Sequence, residues 1–153
     1  MMIEDASGDL FAANVEALVN AVNTVGVMGK GLALAFKKKF PDNFAAYRRA
    51  CDAGELKPGN VFIFDRGDRS PRWIVNFPTK RHWRDASRLD DVRDGLTDLI
   101  NEVEARGIDS VALPALGYGL GGLDWKDVRP LIVEACDRLR GVRFVVFPPR
   151  SGT

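Results

Sequence analysis

The sequence predicts an α/β fold, a three-layer α/β/α sandwich around a mixed central sheet. Short β-rich runs alternate with helical patterns along all 153 residues, no repeat or low-complexity linker interrupts them, and two glycine-rich loops fall at strand-to-helix junctions. A chain of this length buries one well-formed core without disulfides or metal, so a single domain over 1–153 is expected.

Taken in order, residues 2–4 suit a first strand, followed by the turn Ser7-Gly8-Asp9. Residues 15–22 read as a buried strand, and 31–39 as a helix carrying Leu32, Leu34 and Phe36. Pro41 suits the first position of another helix, running to about residue 53 before Gly54. Residues 61–65 and 73–76 form two strands joined by the polar turn RGDRSP, a hairpin pattern. Residues 89–106 place Leu89, Val92, Leu96, Leu99, Ile100 and Val103 at helical spacing, with Gly107 as the stop. A short strand at 111–113, a helix at 124–139 and an apolar strand at 142–147 complete the chain. Ligands in such architectures bind beyond the carboxyl ends of strands, where loops gather.

Charge is nearly balanced, 22 Lys+Arg against 21 Asp+Glu, so any basic site must be local. Cys51 and Cys136 lie far apart with no Cys or His at ligand spacing, which suits reduced thiols and sets zinc and redox chemistry aside. The first ten residues carry acids and a glycine rather than a secretory pattern. No apolar run approaches the roughly 18 residues of a membrane span. A soluble, cytoplasmic protein without membrane contact is expected. His82 is the sole histidine, which excludes mechanisms built on a histidine pair or a Ser-His-Asp triad.

The first glycine loop, in VNAVNTVGVMGKGLALAFKKKF at 19–40, precedes a helix start, where backbone N–H groups favour an anion such as phosphate. It is not a Walker A loop, since Gly29-Lys30 is followed by Gly31 and no hydroxyl is available for magnesium. In the second loop, PALGYGLGGLDW at 114–125, Gly117, Gly119 and Gly122 satisfy G-x-G-x-x-G. The matching strand VRFVVF offers no acid for a ribose hydroxyl, so the fold is not Rossmann and the glycines suit backbone approach to a diphosphate. Tight turns alone are the plainer explanation of either loop. Asn20 and Asn23 end a buried strand and need partners. A ligand hydroxyl would serve, and so would an Asx-type turn. Lys37, Lys38 and Lys39 suit a solvated helical face, although they could reach phosphates of a bound polyanion.

NFPTKRHWRD at 76–85 starts at a strand end and gathers Lys80, Arg81, His82, Trp83 and Arg84 in one loop. Positive charge and a flat ring are the ingredients of single-strand nucleic-acid binding. An ordinary solvated loop with a partly buried tryptophan has the same composition.

These residues together resemble a macrodomain, the ADP-ribose-binding fold, over essentially the whole chain. The pieces are GDLF at 8–11, ALVNAVNTVGVMGKGLAL at 17–34 and PALGYGLGGLDW at 114–125. Within that family, GVMGKGLALAFKKKFP followed by NFPTKRHWR is most similar to the DarG antitoxin group, with human terminal ADP-ribose protein glycohydrolase more distant. The resemblance implies removal of ADP-ribose that a DarT toxin attaches to thymidine in single-stranded DNA, a toxin–antitoxin chemistry. It implies that Asp9 takes the adenine amine with Leu10 close by, and that Asn20, Asn23, Gly29, Lys30 and Gly31 surround the distal ribose. The diphosphate would lie on the main chain of Gly117, Tyr118, Gly119, Leu120, Gly121 and Gly122. A helix-cap aspartate is the plainer role for Asp9. ADP-ribose enters as ligand and product, so no cofactor and no metal are expected, and the protein is expected to act as a monomer.

By the same resemblance Lys80 is catalytic, and Arg81, His82, Trp83 and Arg84 contact DNA. Lysine chemistry near neutral pH requires the ordinary pKa near 10.4 to fall to about 7 to 8, roughly 3 to 5 kcal/mol of desolvation or neighbouring positive charge. Lys80 would act at the anomeric carbon, through a Schiff-base-type adduct or by assisting departure of the base. A structural surface lysine is the alternative. The relative acting on protein carboxylates pairs its lysine with an aspartate in the second glycine loop; here Gly121 stands at that place, while Asp124 suits the cap of the following helix. That departure favours a lysine-only mechanism on a DNA adduct. Two other functions use the same pocket: a non-catalytic ADP-ribose reader, and a hydrolase of O-acetyl-ADP-ribose, the phosphorylated nucleotide or ADP-ribosylated protein. Antitoxins of the DarG group usually continue into a second, toxin-blocking domain; this sequence closes at FPPRSGT, as part of a longer chain or as a stand-alone enzyme. A DarT-like toxin is therefore a candidate partner, but its neutralisation by contact is not implied.

Overall fold

A computed structural model describes residues 3–118 and 121–149. The elements are β1 (Ile3–Asp5), a single 3-10 turn (Leu10–Ala12), β2 (Ala17–Asn23), α1 (Gly31–Lys39), α2 (Pro41–Asp52), β3 (Phe62–Asp65), β4 (Trp73–Lys80), α3 (Leu89–Arg106), β5 (Ser110–Leu113), α4 (Trp125–Cys136) and β6 (Arg143–Val146). The sheet order is β1-β6-β5-β2-β4-β3, with every pair parallel except β3 with β4.

Both faces of this sheet are covered, which is why β2 and β4 read as almost continuous buried runs rather than alternating ones. On one face, Ala17, Val19, Val75, Phe77, Val111, Leu113 and Phe144 pack with the apolar stripes of α3 and α4. On the other, Leu18, Val22, Ile74, Ala112 and Val145 pack with Met28, Phe36, Phe40 and Tyr47 beneath α1 and α2. Residues alternate between these two cores along each strand, as a period of two requires. Gly95 of α3 brings that helix onto the sheet: a Cβ there would lie 2.5 Å from Phe77 Cζ.

Local signals placed most boundaries. Pro41 is the first residue of α2; Gly107 closes α3 at φ 66°, accepting no Cβ penalty in the left-handed region; and the Asp124 side chain caps α4 by accepting from Lys126 N at 3.2 Å. The first strand lies at Ile3–Asp5, the helix expected to reach residue 139 ends at Cys136, and the last strand spans Arg143–Val146.

One correction bears on function. The strand expected over 73–76 continues to Lys80, so Lys80 belongs to β4 and not to the following loop. Pairing with β2 carries it there: Ala21, Val22 and Asn23 stand in register with Phe77, Pro78 and Lys80, across a shift between Val22 and Asn23. Pro78 is tolerated because β3 stops pairing at Asn76, leaving β4 with a neighbour on one side only.

Candidate active site

Five parallel strands point the same way, so the loops after β1, β2, β4, β5 and β6 gather at one edge of the sheet. That edge carries Asp9 and Leu10, the Asn23–Gly31 segment, the Lys80–Arg84 tract and the second glycine loop. Gly119 and Leu120 lie outside the described residues.

Asp9 is exposed, and its Oδ1 accepts from Phe11 N at 2.9 Å as the cap of the 3-10 turn that buries Leu10. Its cap role uses one carboxylate oxygen and leaves the other for a ligand donor.

Asn20 and Asn23 differ in how they are satisfied. Asn23 Oδ1 accepts from Val25 N (3.1 Å), Val27 N (3.3 Å) and the Tyr47 hydroxyl (2.8 Å), while Nδ2 donates to Val27 O (2.7 Å). The amide therefore holds its own loop in an Asx-type arrangement and keeps at most one N–H for a ligand. Asn20 is fully buried under the same loop, with Nδ2 3.7 Å from Met28 Sδ and Oδ1 without a hydrogen-bond partner among the described residues. Beyond it, Gly29, Lys30 and Gly31 are exposed at the start of α1, and no side chain caps that helix. Its first-turn N–H groups suit an anion.

Lys80 lies at the junction of three segments. It pairs in register with Asn23 at the end of β2; its Nζ reaches Trp83 O at 3.5 Å; and its Cε is 4.0 Å from the position a Cβ on Gly121 would take. The second glycine loop is thus beside the lysine. In that loop Tyr118 N donates to Ala115 O at 3.1 Å and Leu123 N to Gly117 O at 2.9 Å. Gly117 has φ 74°, and a Cβ there would meet Leu123 Cδ1 at 2.5 Å, so only glycine closes this turn.

The basic aromatic tract divides. Arg81 Nη1 pairs with Asp91 Oδ2 of α3 at 2.9 Å, which ties its guanidinium to the protein. His82, Trp83 and Arg84 form a surface stack: the His82 and Trp83 rings are 5.0 Å apart, and the Arg84 guanidinium lies 4.5 Å from the Trp83 centroid. Val25, Val27 and Trp83 are the exposed large hydrophobics among the described residues, at 43%, 40% and 44%. All three belong to loops at this edge, where an apolar rim suits a stacked base. A cavity of about 330 Å³ opens along the segment between β4 and α3, lined by Arg81, Asp85, Ala86, Ser87 and Arg88. Another of about 260 Å³, between Val15, Arg69, Arg72 and Ser110, lies at the opposite edge. There Arg69 and Arg72 are committed to Asp42 and Asp65.

Three contributors escaped sequence reasoning. Thr24 N and Oγ1 both donate to Arg81 O, at 3.4 and 2.6 Å, clasping the first loop to the lysine tract. The buried Tyr47 hydroxyl also donates to Asn23 O at 2.9 Å; burial pushes its pKa up, keeping it a neutral donor. Ser87 N donates to Gly121 O at 2.8 Å. Only Thr24, next to Asn23, had any signal in its neighbours; the others meet residues distant in sequence. No group of three or more potential metal-ligating side chains occurs among the described residues, and no helix described is long and apolar enough to cross a membrane.

The Macro domain family profile matches residues 19–132. The chain is 51% identical to a DNA ADP-ribosyl glycohydrolase of Thermus aquaticus over 97% of its own length and 41% of the relative's. It is 50% identical to a protein of the same name from Mycobacterium tuberculosis, over 99% of this chain and 44% of that one. The solved macrodomain of T. aquaticus DarG superposes with a TM-score of 0.94, covering 97% of this chain and 99% of that one at 51% identity. The chain thus spans less than half the length of these curated relatives.

Proposed function

The chain belongs to the Macro domain family, and on that footing we propose that it is a DNA ADP-ribosyl glycohydrolase that releases ADP-ribose from thymidine in single-stranded DNA. The observation that carries this reading is the placement of Lys80, in register with Asn23 at the strand tips and beside Gly121 of the second glycine loop. Names borne by relatives at half identity support the activity. A toxin context is supported by a Thermosipho africanus relative, 38% identical, that is a fusion of DNA ADP-ribosyl transferase and glycohydrolase.

In this arrangement the uncapped start of α1 and the turns at Gly117 and Gly122 offer main-chain donors to the diphosphate, and Asp9 offers an acceptor to the adenine amine. Lys80 then faces the anomeric carbon. Its amine adds to C1 of the opened sugar, the thymine nitrogen leaves with a proton to give a Schiff base, and water hydrolyses that to ADP-ribose and the free amine. Alternatively it supports the departing base while water attacks C1, and both routes use the same position. Trp83, with His82 and Arg84 stacked about it, supplies the platform for a neighbouring base.

The test is incubation of a thymidine-ADP-ribosylated single-stranded oligonucleotide with wild type and Lys80→Ala. Wild type is expected to release free ADP-ribose, and the variant to be at least about 100-fold slower with ADP-ribose affinity within about 3-fold. Full activity in Lys80→Ala would end the catalytic assignment. Tight binding for hours without turnover by wild type would instead favour a reader of ADP-ribosylated DNA.

A further inference from the structure

Ser87, between β4 and α3, is 6% exposed. Its hydroxyl has no hydrogen-bond partner among the described residues, although buried polar groups are almost always paired. Such an exception asks for a role.

Its surroundings supply one. A Cβ on residue 121 would lie 2.6 Å from Ser87 Oγ, 3.3 Å from Ser87 Cβ and 4.0 Å from Lys80 Cε. Residue 121 therefore cannot carry a side chain while Ser87 stands where it does. The volume such a side chain would need, between the glycine loop and the lysine, already holds the serine hydroxyl. The Ser87 N–H bond to Gly121 O at 2.8 Å keeps the loop in that relation.

We propose that Ser87 is a positioning residue for Lys80, its hydroxyl holding the amine on the Gly121 side of the site and so directing it to the sugar carbon. Lys80 Nζ lies against Trp83 O and the Ser87 hydroxyl has no partner among the described residues, so this role requires the amine to turn toward the hydroxyl about the terminal torsions of the lysine. A hydroxyl accepts from an ammonium N–H and donates to the lone pair of a free amine, so it orients the group in either state. A carboxylate in its place would favour the ammonium and reduce the fraction of nucleophile. A glycine at 121 and a serine at 87 thus act as one unit. This inference rests on Lys80 being the reactive amine, as proposed above.

The experiment measures kcat, KM and the pH profile of kcat on the ADP-ribosylated oligonucleotide for wild type, Ser87→Ala, Ser87→Thr and Lys80→Ala, with ADP-ribose affinity by calorimetry and Tm. Ser87→Ala is expected to lower kcat about 10- to 100-fold and displace its pH profile, leaving KM and ADP-ribose affinity within about 3-fold and Tm undiminished. Ser87→Thr, which keeps the hydroxyl, is expected to recover most of the rate. Wild-type kcat and pH profile in Ser87→Ala overturn the assignment, as does a loss of rate matched by a loss of ADP-ribose affinity. Failure of the parent reading is seen separately, as wild type that does not turn over or Lys80→Ala that does, and the Ser87 assignment falls with it.

Discussion

Asn23 and Lys80 are register partners at the tips of two parallel strands, so the backbone that leads into the loop expected to hold the sugar and the backbone that carries the lysine stand one strand spacing apart, about 4.8 Å. Neither position depends on a flexible loop: each is the last residue of its strand.

Tyr47→Phe tests the support of Asn23. Its single O–H is shared between Asn23 O and Oδ1, and its loss is expected to cost about 1 to 2 kcal/mol of stability and about 3- to 10-fold in ADP-ribose affinity. Urea unfolding and calorimetry measure the two effects.

The same residue sets an alkaline response. Burial raises the Tyr47 pKa above its ordinary value of 10.0 in the folded state. Above that pH the unfolded chain binds fewer protons than the folded one, so this contribution is whole below pH 10 and declines as pH rises further. Wild type is expected to lose stability between pH 10 and 11 faster than Tyr47→Phe, measured as Tm against pH.

Thr24→Val removes the 2.6 Å hydroxyl donor to Arg81 O and leaves the longer N–H bond. With the first loop less firmly clasped to the lysine tract, kcat/KM on the DNA adduct is expected to fall about 3- to 10-fold, and Thr24→Ser to restore it. Equal rates in all three proteins would remove the clasp from the mechanism.

Trp83→Ala probes the surface stack. Base stacking on an aromatic ring is worth about 1 to 3 kcal/mol, so KM for the oligonucleotide is expected to rise about 10-fold or more while free ADP-ribose binds as before. Because Trp83 is 44% exposed, Tm is expected to change little. Parallel loss of ADP-ribose affinity would place Trp83 in the nucleotide pocket instead.

Gly95→Ala tests the packing of α3 on the sheet. The added Cβ would stand 2.5 Å from Phe77 Cζ; overpacking of this kind costs about 1 to 3 kcal/mol, against about 1 kcal/mol gained in helix propensity. Net destabilisation in urea is the expected result, and a gain in stability would mean that the ring yields freely.

Features governed by local torsion and periodicity were legible in the residues themselves. Gly107 and Pro41 mark helix ends because a left-handed φ and a missing N–H are properties of single residues. The apolar period of 89–106 marks α3 because a helix must present one face to a core, and the strand-to-helix glycine loops marked the edge where the loops after the parallel strands gather. Contacts between distant segments were not legible. The continuation of β4 through Pro78 to Lys80 required β2 alongside it. The satisfaction of Asn23 required a tyrosine 24 residues away, the clasp at Thr24 a carbonyl 57 residues away, and the orphaned Ser87 hydroxyl a glycine loop arriving from β5. A residue carries its own conformational preferences wherever it stands in the chain, but which group it meets across a sheet is decided only when the strands have paired and their register is set.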